Sequence, residues 1–176
     1  VSIAWCVHIV NMSVGGKLSI FGILPRTVPG ILGIFVSPFL HGSLNHLFMN
    51  SLFFLGLGSF VLIQGKDVFV IVSASIIVIS GLGVWLFGRK ALHIGASGLI
   101  MGYWSYILVD AYYFPNIVNL FAAAVGMYYF GMHMAASLLA SGKNVSMEGH
   151  AFGFIAGGIT AAFYPFISSL LFSLFF

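Results

Sequence analysis

The chain has 176 residues, 61% of them hydrophobic and only 5% charged, and its mean hydropathy is +1.14; soluble domains carry about 25% charged residues. This composition excludes an ordinary soluble domain, and six Lys/Arg against three acids, thinly spread, provide no basic footprint for nucleic acid. A single cysteine, Cys6, excludes an intrachain disulfide and a multi-cysteine metal cluster.

Residues 1–14 are apolar but lack the basic start of a signal peptide, so they read as a membrane helix truncated at its start. Residues 15–40 are too long and too rich in proline (Pro25, Pro29, Pro38) for a simple turn. Their apolar patch, Ile31-Leu32-Gly33-Ile34-Phe35, is expected at the membrane surface. Residues 43–63 form a stretch of spanning length, opened by the capping residue Ser43 and closed by the polar turn Gln64-Gly65-Lys66-Asp67. Residues 68–87 are similar in length and end at Gly88-Arg89-Lys90, which hydrocarbon tolerates poorly.

Residues 91–98 read as a loop that exposes His93 to solvent and leads into a short helix over 97–114. Pro115-Asn116 breaks that helix, residues 117–140 make a longer span, and Ser141-Gly142-Lys143-Asn144 makes another polar loop. The last span starts at His150 and is expected to kink or end near Pro165. Counting the partial first segment, the chain is predicted to be a single all-α, polytopic membrane domain over 1–176 with six transmembrane helices. Alternating direction puts the starts of the second, fourth and sixth spans on one membrane face.

Three polar clusters lie at those starts. His46 and Asn50 are four apart and share a helix face. Polar side chains within a membrane turn to the bundle interior, either as hydrogen-bonding glue between helices or as a functional site. His41 and His46 are five apart, with no Cys or acid at ligand spacing, which disfavours a metal site. On the fourth span, Gly98, Gly102 and Ser105 form a small-residue stripe beside Ser97, which taken alone reads as packing.

On the sixth span, His150, Gly153 and Gly157 form a matching stripe. Two glycine-faced helices packed backbone to backbone would bring Ser97 and His150 within reach, which a serine nucleophile and its general base require. Asn50 through its amide, His46 through a ring N–H and the Ser97 backbone N–H could serve as oxyanion donors. Asp67 lies in a turn, Asp110 at the far end of its span and Glu148 in a loop before His150, so a Ser/His dyad fits better than a triad. His8 and Cys6 read as packing residues, and His133 with Tyr128, Tyr129 and Phe130 as ordinary packing or an interfacial aromatic patch.

At these residues the chain resembles the rhomboid intramembrane serine proteases. The resemblance rests on three motifs in the family's order: His41-Gly-Ser-Leu-Asn-His46-Leu-Phe-Met-Asn50; Gly95-Ala-Ser97-Gly98 followed by Gly102; and His150-Ala-Phe-Gly153-Phe-Ile-Ala-Gly157. It implies that Ser97 is the nucleophile, His150 its base, His46 and Asn50 the oxyanion-side donors, and His41 a residue at the water-facing rim. It further implies hydrolysis of peptide bonds in transmembrane protein substrates within the lipid bilayer of a bacterial plasma membrane, without metal or cofactor. The oligomeric state stays open.

The chain departs from the family pattern at Met101, where many relatives carry an aromatic ring, and in lacking a Trp-Arg pair in the first long loop. Family topology would put Lys17, Arg26, Arg89, Lys90 and Lys143 outside and Lys66 inside, against the positive-inside rule, so absolute orientation stays open. Two other readings remain at this point. One is a non-catalytic relative that binds transmembrane helices; the other is a transporter or proton channel using His46, His93, His133 and His150.

Overall fold

The computed structural model describes residues 1–131 and 146–175, with side chains for all of these except 130 and 167–175. Seven α-helices, and no strand, occur among the described residues: α1 (Ser2–Ser13), α2 (Val28–Val36), α3 (Leu44–Ile63), α4 (Lys66–Phe87), α5 (Ser97–Tyr113), α6 (Ile117–Gly126) and α7 (Met147–Phe175). Polar caps set several starts, because the first N–H groups of a helix have no partner in the preceding turn. Thr27 accepts from Gly30 N–H, Ser43 from His46 N–H and Asn116 from Asn119 N–H.

By length and hydropathy α3 and α4 each suffice to cross a membrane; 28% of each crossing window is buried, so most of their surface faces outward. The shorter α5 is the hub of the bundle. Ten of its 17 residues are buried, against five of 20 in α3. Tyr103 is fully enclosed in the core cluster that also holds Val61 of α3, Val72 and Ile76 of α4 and Ala156 of α7, and its ring packs on Phe54 and Phe69. Its phenol meets Ser73 Oγ at 2.6 Å, so a buried hydroxyl finds a partner.

The closest helix contact is that of α5 with α7. A Cβ on Gly98 would lie 3.1 Å from the Gly149 carbonyl oxygen, and one on Gly102 would lie 3.1 Å from that of Gly153. Conversely, a Cβ on Gly153 would run into the Gly98 carbonyl, and one on Gly157 into the Gly102 carbonyl. The two glycine stripes face one another, and their backbones touch.

The opposite end of α5 is tied by polar contacts. Asp110 Oδ2 accepts from Gln64 Nε2 (3.1 Å) and Asn119 Nδ2 (2.6 Å), and the Tyr106 hydroxyl donates to Gln64 Oε1 (3.0 Å). The ends of α3 and α5 and the start of α6 therefore meet at one carboxylate.

The structure sharpens three expectations. Residues 15–40 hold α2 and two 3₁₀ turns, Lys17–Phe21 and Ser37–Phe39. The apolar patch splits: Ile34 is 3% exposed and seats against Gly81 of α4, whereas Leu32 and Phe35 point outward. Helix α2 lies close to the chain before it, since a side chain at Gly30 or Gly33 would strike the Leu24 or Gly22 carbonyl. Of the two outcomes expected at Pro165, a kink or an end, the second is removed: helix α7 continues through it to Phe175. Of the predicted span 117–140, α6 and a π-helical turn, Met127–Gly131, are described; His133 and Lys143 lie outside the described residues.

Gly157→Ala places a methyl against backbone that cannot rotate away, so it should destabilise the bundle by about 1–3 kcal/mol. Gly56→Ala on the open face of α3, where no atom lies within 4 Å, should leave stability unchanged or slightly raised. Thermal unfolding of both variants in one detergent checks the contrast.

Candidate functional site

The site gathers around the segment between α4 and α5. Gly95 has φ +116°, a conformation that favours glycine, and its N–H donates to the Ser37 carbonyl at 2.9 Å. A Cβ there would lie 2.7 Å from His46 Cε1, 2.9 Å from His46 Nε2 and 3.5 Å from Asn50 Nδ2. The His46 ring and the Asn50 amide therefore lie against the backbone two residues before Ser97. Both stand on one face of α3, one turn apart, as their spacing predicts.

Ser97 is the first residue of α5 and His150 the fourth of α7. The contact of Gly98 with the Gly149 carbonyl joins the residues next to them, so Ser97 and His150 stand at the same level of two touching helices. Both are partly buried. The structure thus brings His46, Asn50, Ser97 and His150 to one end of the bundle.

Asn50 is buried, and its Nδ2 makes no hydrogen bond to any described group. It lines a cavity of roughly 200 Å³ together with His41, Ser73, Ala96, Leu99 and Tyr103. A smaller cavity, roughly 50 Å³, lies across the same segment and is lined by Ser80, His93, Gly95, Ser97 and Gly149 among others. Ser97 therefore stands on a thin wall of chain with a buried amide donor on one side and α7 on the other.

His41 is buried rather than facing water at a rim. Its ring meets that of His46 edge-on at 5.1 Å between centroids. Its carbonyl accepts from His8 Nδ1 at 3.1 Å, which fixes the His8 tautomer, because a carbonyl only accepts. His8 is thus a buried anchor of α1 to the loop before α3. Burial first, and then the neighbouring His46, hold the His41 imidazole down to about 4, with the Phe39 backbone opposing the shift.

His93, predicted in a solvated loop, is 5% exposed. Its backbone pairs with Ile23 in both directions at 2.9 Å, and its ring reaches Ser146 Oγ at 2.7 Å and the Arg89 carbonyl at 3.1 Å. Burying the ring leaves no polar atom stranded, which is why an apolar setting tolerates it. The pattern that places His46 inside the bundle, a polar side chain within an apolar span, does not reach His93, which lies between two spans. Glu148 is paired with Arg89, Nε to Oε1 3.5 Å, and Trp5 Nε1 donates to Ser51 Oγ at 3.0 Å.

Fold and site together define a helical membrane bundle that carries a glycine-flanked serine at a helix start beside a histidine on a neighbouring helix. The Rhomboid domain family matches residues 29–165, and the chain belongs to the rhomboid family of integral membrane proteins, which includes intramembrane serine proteases. Similar chains include uncharacterized proteins of Mycobacterium tuberculosis (strain H37Rv) and Mycobacterium bovis, each 30% identical over 92% of this chain and 70% of its own length. An uncharacterized protein of Mycobacterium leprae is 30% identical over 73% of this chain and 54% of its own length.

Gly95→Ala meets both a disfavoured φ and the His46 ring, and should cost about 1–3 kcal/mol, read as a lowered Tm. The depressed His41 value has a signed consequence. Relative to an unfolded value of 6.5, the folded protein binds fewer protons, so this contribution to stability is present above pH about 6.5 and is lost as pH falls through about 4. His41→Gln should flatten the fall in Tm across that window; parallel curves for variant and parent would contradict it.

Proposed function

We propose that the chain is a rhomboid-type intramembrane serine protease, a single domain over 1–176 with six membrane spans, acting on transmembrane protein substrates in a bacterial plasma membrane. The observation that carries this reading is the Gly95–Gly98 segment, held between His46 and Asn50 on one side and the start of α7 on the other. The contact of α5 with α7 supports a Ser97–His150 dyad, because it sets both residues at one level.

In this reading Ser97 Oγ bonds to the scissile carbonyl carbon while His150 takes the hydroxyl proton. The negative charge that develops on the carbonyl oxygen is met by the Asn50 amide, a His46 ring N–H and the Ser97 backbone N–H. Collapse of the intermediate breaks the C–N bond, and His150 passes its proton to the leaving amine. A water then gives its proton to His150 and attacks the acyl ester, and Ser97 recovers its proton as it leaves. The unpartnered Nδ2 of Asn50 supports this assignment, since a buried donor without a partner costs about 1–3 kcal/mol.

Ser97→Ala and His150→Ala should each lower cleavage of a transmembrane reporter in proteoliposomes by at least about 10³-fold. Asn50→Ala should lower kcat by about 10²-fold. A fluorophosphonate should label the parent at Ser97. Parent-like turnover in either dyad variant would sink the assignment.

A further inference from the structure

We propose that His93 and Ser146 form a latch that sets the first turn of α7, and with it the position of His150; the proposal rests on the reading of His150 as the base for Ser97. Neither residue belongs to the reacting set. Both act through the backbone that carries His150, so they are positioning residues.

The latch is legible in its hydrogen bonds. The Arg89 carbonyl, 3.1 Å from His93 Nε2, can only accept, so Nε2 carries the ring proton and Nδ1 is left as an acceptor. The Ser146 hydroxyl, 2.7 Å away, then donates to Nδ1. The same oxygen accepts from the Gly149 N–H at 3.1 Å, three residues on, as a helix cap does. The Ser146 carbonyl accepts from the His150 N–H at 3.2 Å. One serine therefore holds two successive N–H groups of the first turn of α7, and the orientation of its hydroxyl is set by a buried imidazole.

That imidazole is itself fixed. Its backbone is paired with Ile23 on both sides, and its ring is closed in beside Ser146 and the Arg89 carbonyl. The Arg89–Glu148 ion pair crosses the same seam, but its partly exposed charges contribute little. Helix ends are where hydrogen bonds are fewest, and His150 lies in such an end. Without a fixed cap the first turn can fray, and the imidazole of His150 loses its register with Ser97 even though the glycine contact deeper in α7 remains.

The test compares the full chain with Ser146→Ala, His93→Ala, the double variant and Ser146→Thr on a transmembrane reporter in proteoliposomes, with Ser97→Ala alongside. Turnover is expressed per folded, monodisperse protein. Each alanine variant should lose about 10- to 100-fold in kcat at unchanged KM. The double variant should be no worse than the singles, and Ser146→Thr, which keeps the hydroxyl, should restore kcat. Amide hydrogen exchange over residues 147–150 should accelerate in Ser146→Ala.

Parent-like kcat in the alanine variants, additive losses in the double variant, or a threonine as poor as alanine would each overturn the latch. So would a lowered Tm with intact kcat and unchanged exchange, which is the signature of a merely structural pair. His93→Gln fills the site without an imidazole and covers a His93→Ala that does not fold; parent-like kcat there overturns the latch equally. Failure of the latch with Ser97→Ala inactive leaves the dyad reading standing, whereas a Ser97→Ala that still cleaves removes both.

Discussion

The backbone contact between α5 and α7 is the constraint on which the rest of the arrangement depends. Lipid tails are as apolar as leucine, so no hydrophobic force presses two membrane helices together, and close packing must supply the attraction. Glycines at four-residue intervals on both helices allow that approach: Gly98 and Gly102 on one, Gly149, Gly153 and Gly157 on the other. Each carbonyl lies over the neighbour's glycine, which fixes the sliding register as well as the separation. The relative height of Ser97 and His150 is a consequence of this register.

Register alone would leave the serine at the tip of a lever. The lever is held at both ends. At the far end, Asp110 accepts from Gln64 and Asn119 and so binds α5 to α3 and α6. At the near end, the segment before Ser97 is stitched by Gly95 N–H to Ser37 and by the backbone pairing of His93 with Ile23. The long segment between α1 and α3 is thereby part of the site's support, because Ile23 and Ser37 both lie in it. Its own helix α2 is wedged against α4 by Ile34 over Gly81.

What could be read from the sequence follows from the range of the interactions. The start of α3 was legible because Ser43 caps it locally, and the glycine stripes because their spacing matches the helix repeat. The pairing of Gly95 with His46 and Asn50 was legible only as a shared membrane level. Residues 15–40 were not legible as a helix and two turns, because Gly30 and Gly33 of α2 serve contacts with the Leu24 and Gly22 carbonyls rather than helix propensity. His93 was misplaced because its partner, Ser146, is 53 residues away. Pro165 left two outcomes open, a kink or an end, and α7 continues through it, as membrane helices permit where neighbours re-satisfy the freed backbone.

The turn at Gly95 shows why the site has its composition. For His46 and Asn50 to reach the chain just before the serine, that chain must pass them without a side chain and with φ at +116°. Only glycine meets both conditions at no cost. The same approach leaves the Asn50 Nδ2 buried and unbonded to any described group, a state that packing alone gives no reason to keep. On the proposed reading, a donor held against the chain just before a helix start is placed to meet charge that would develop on a substrate oxygen at Ser97. Sequences that keep a local loss of this kind tend to do so at functional sites, and here the loss falls on the asparagine that lies against the Gly95 turn, two residues before Ser97.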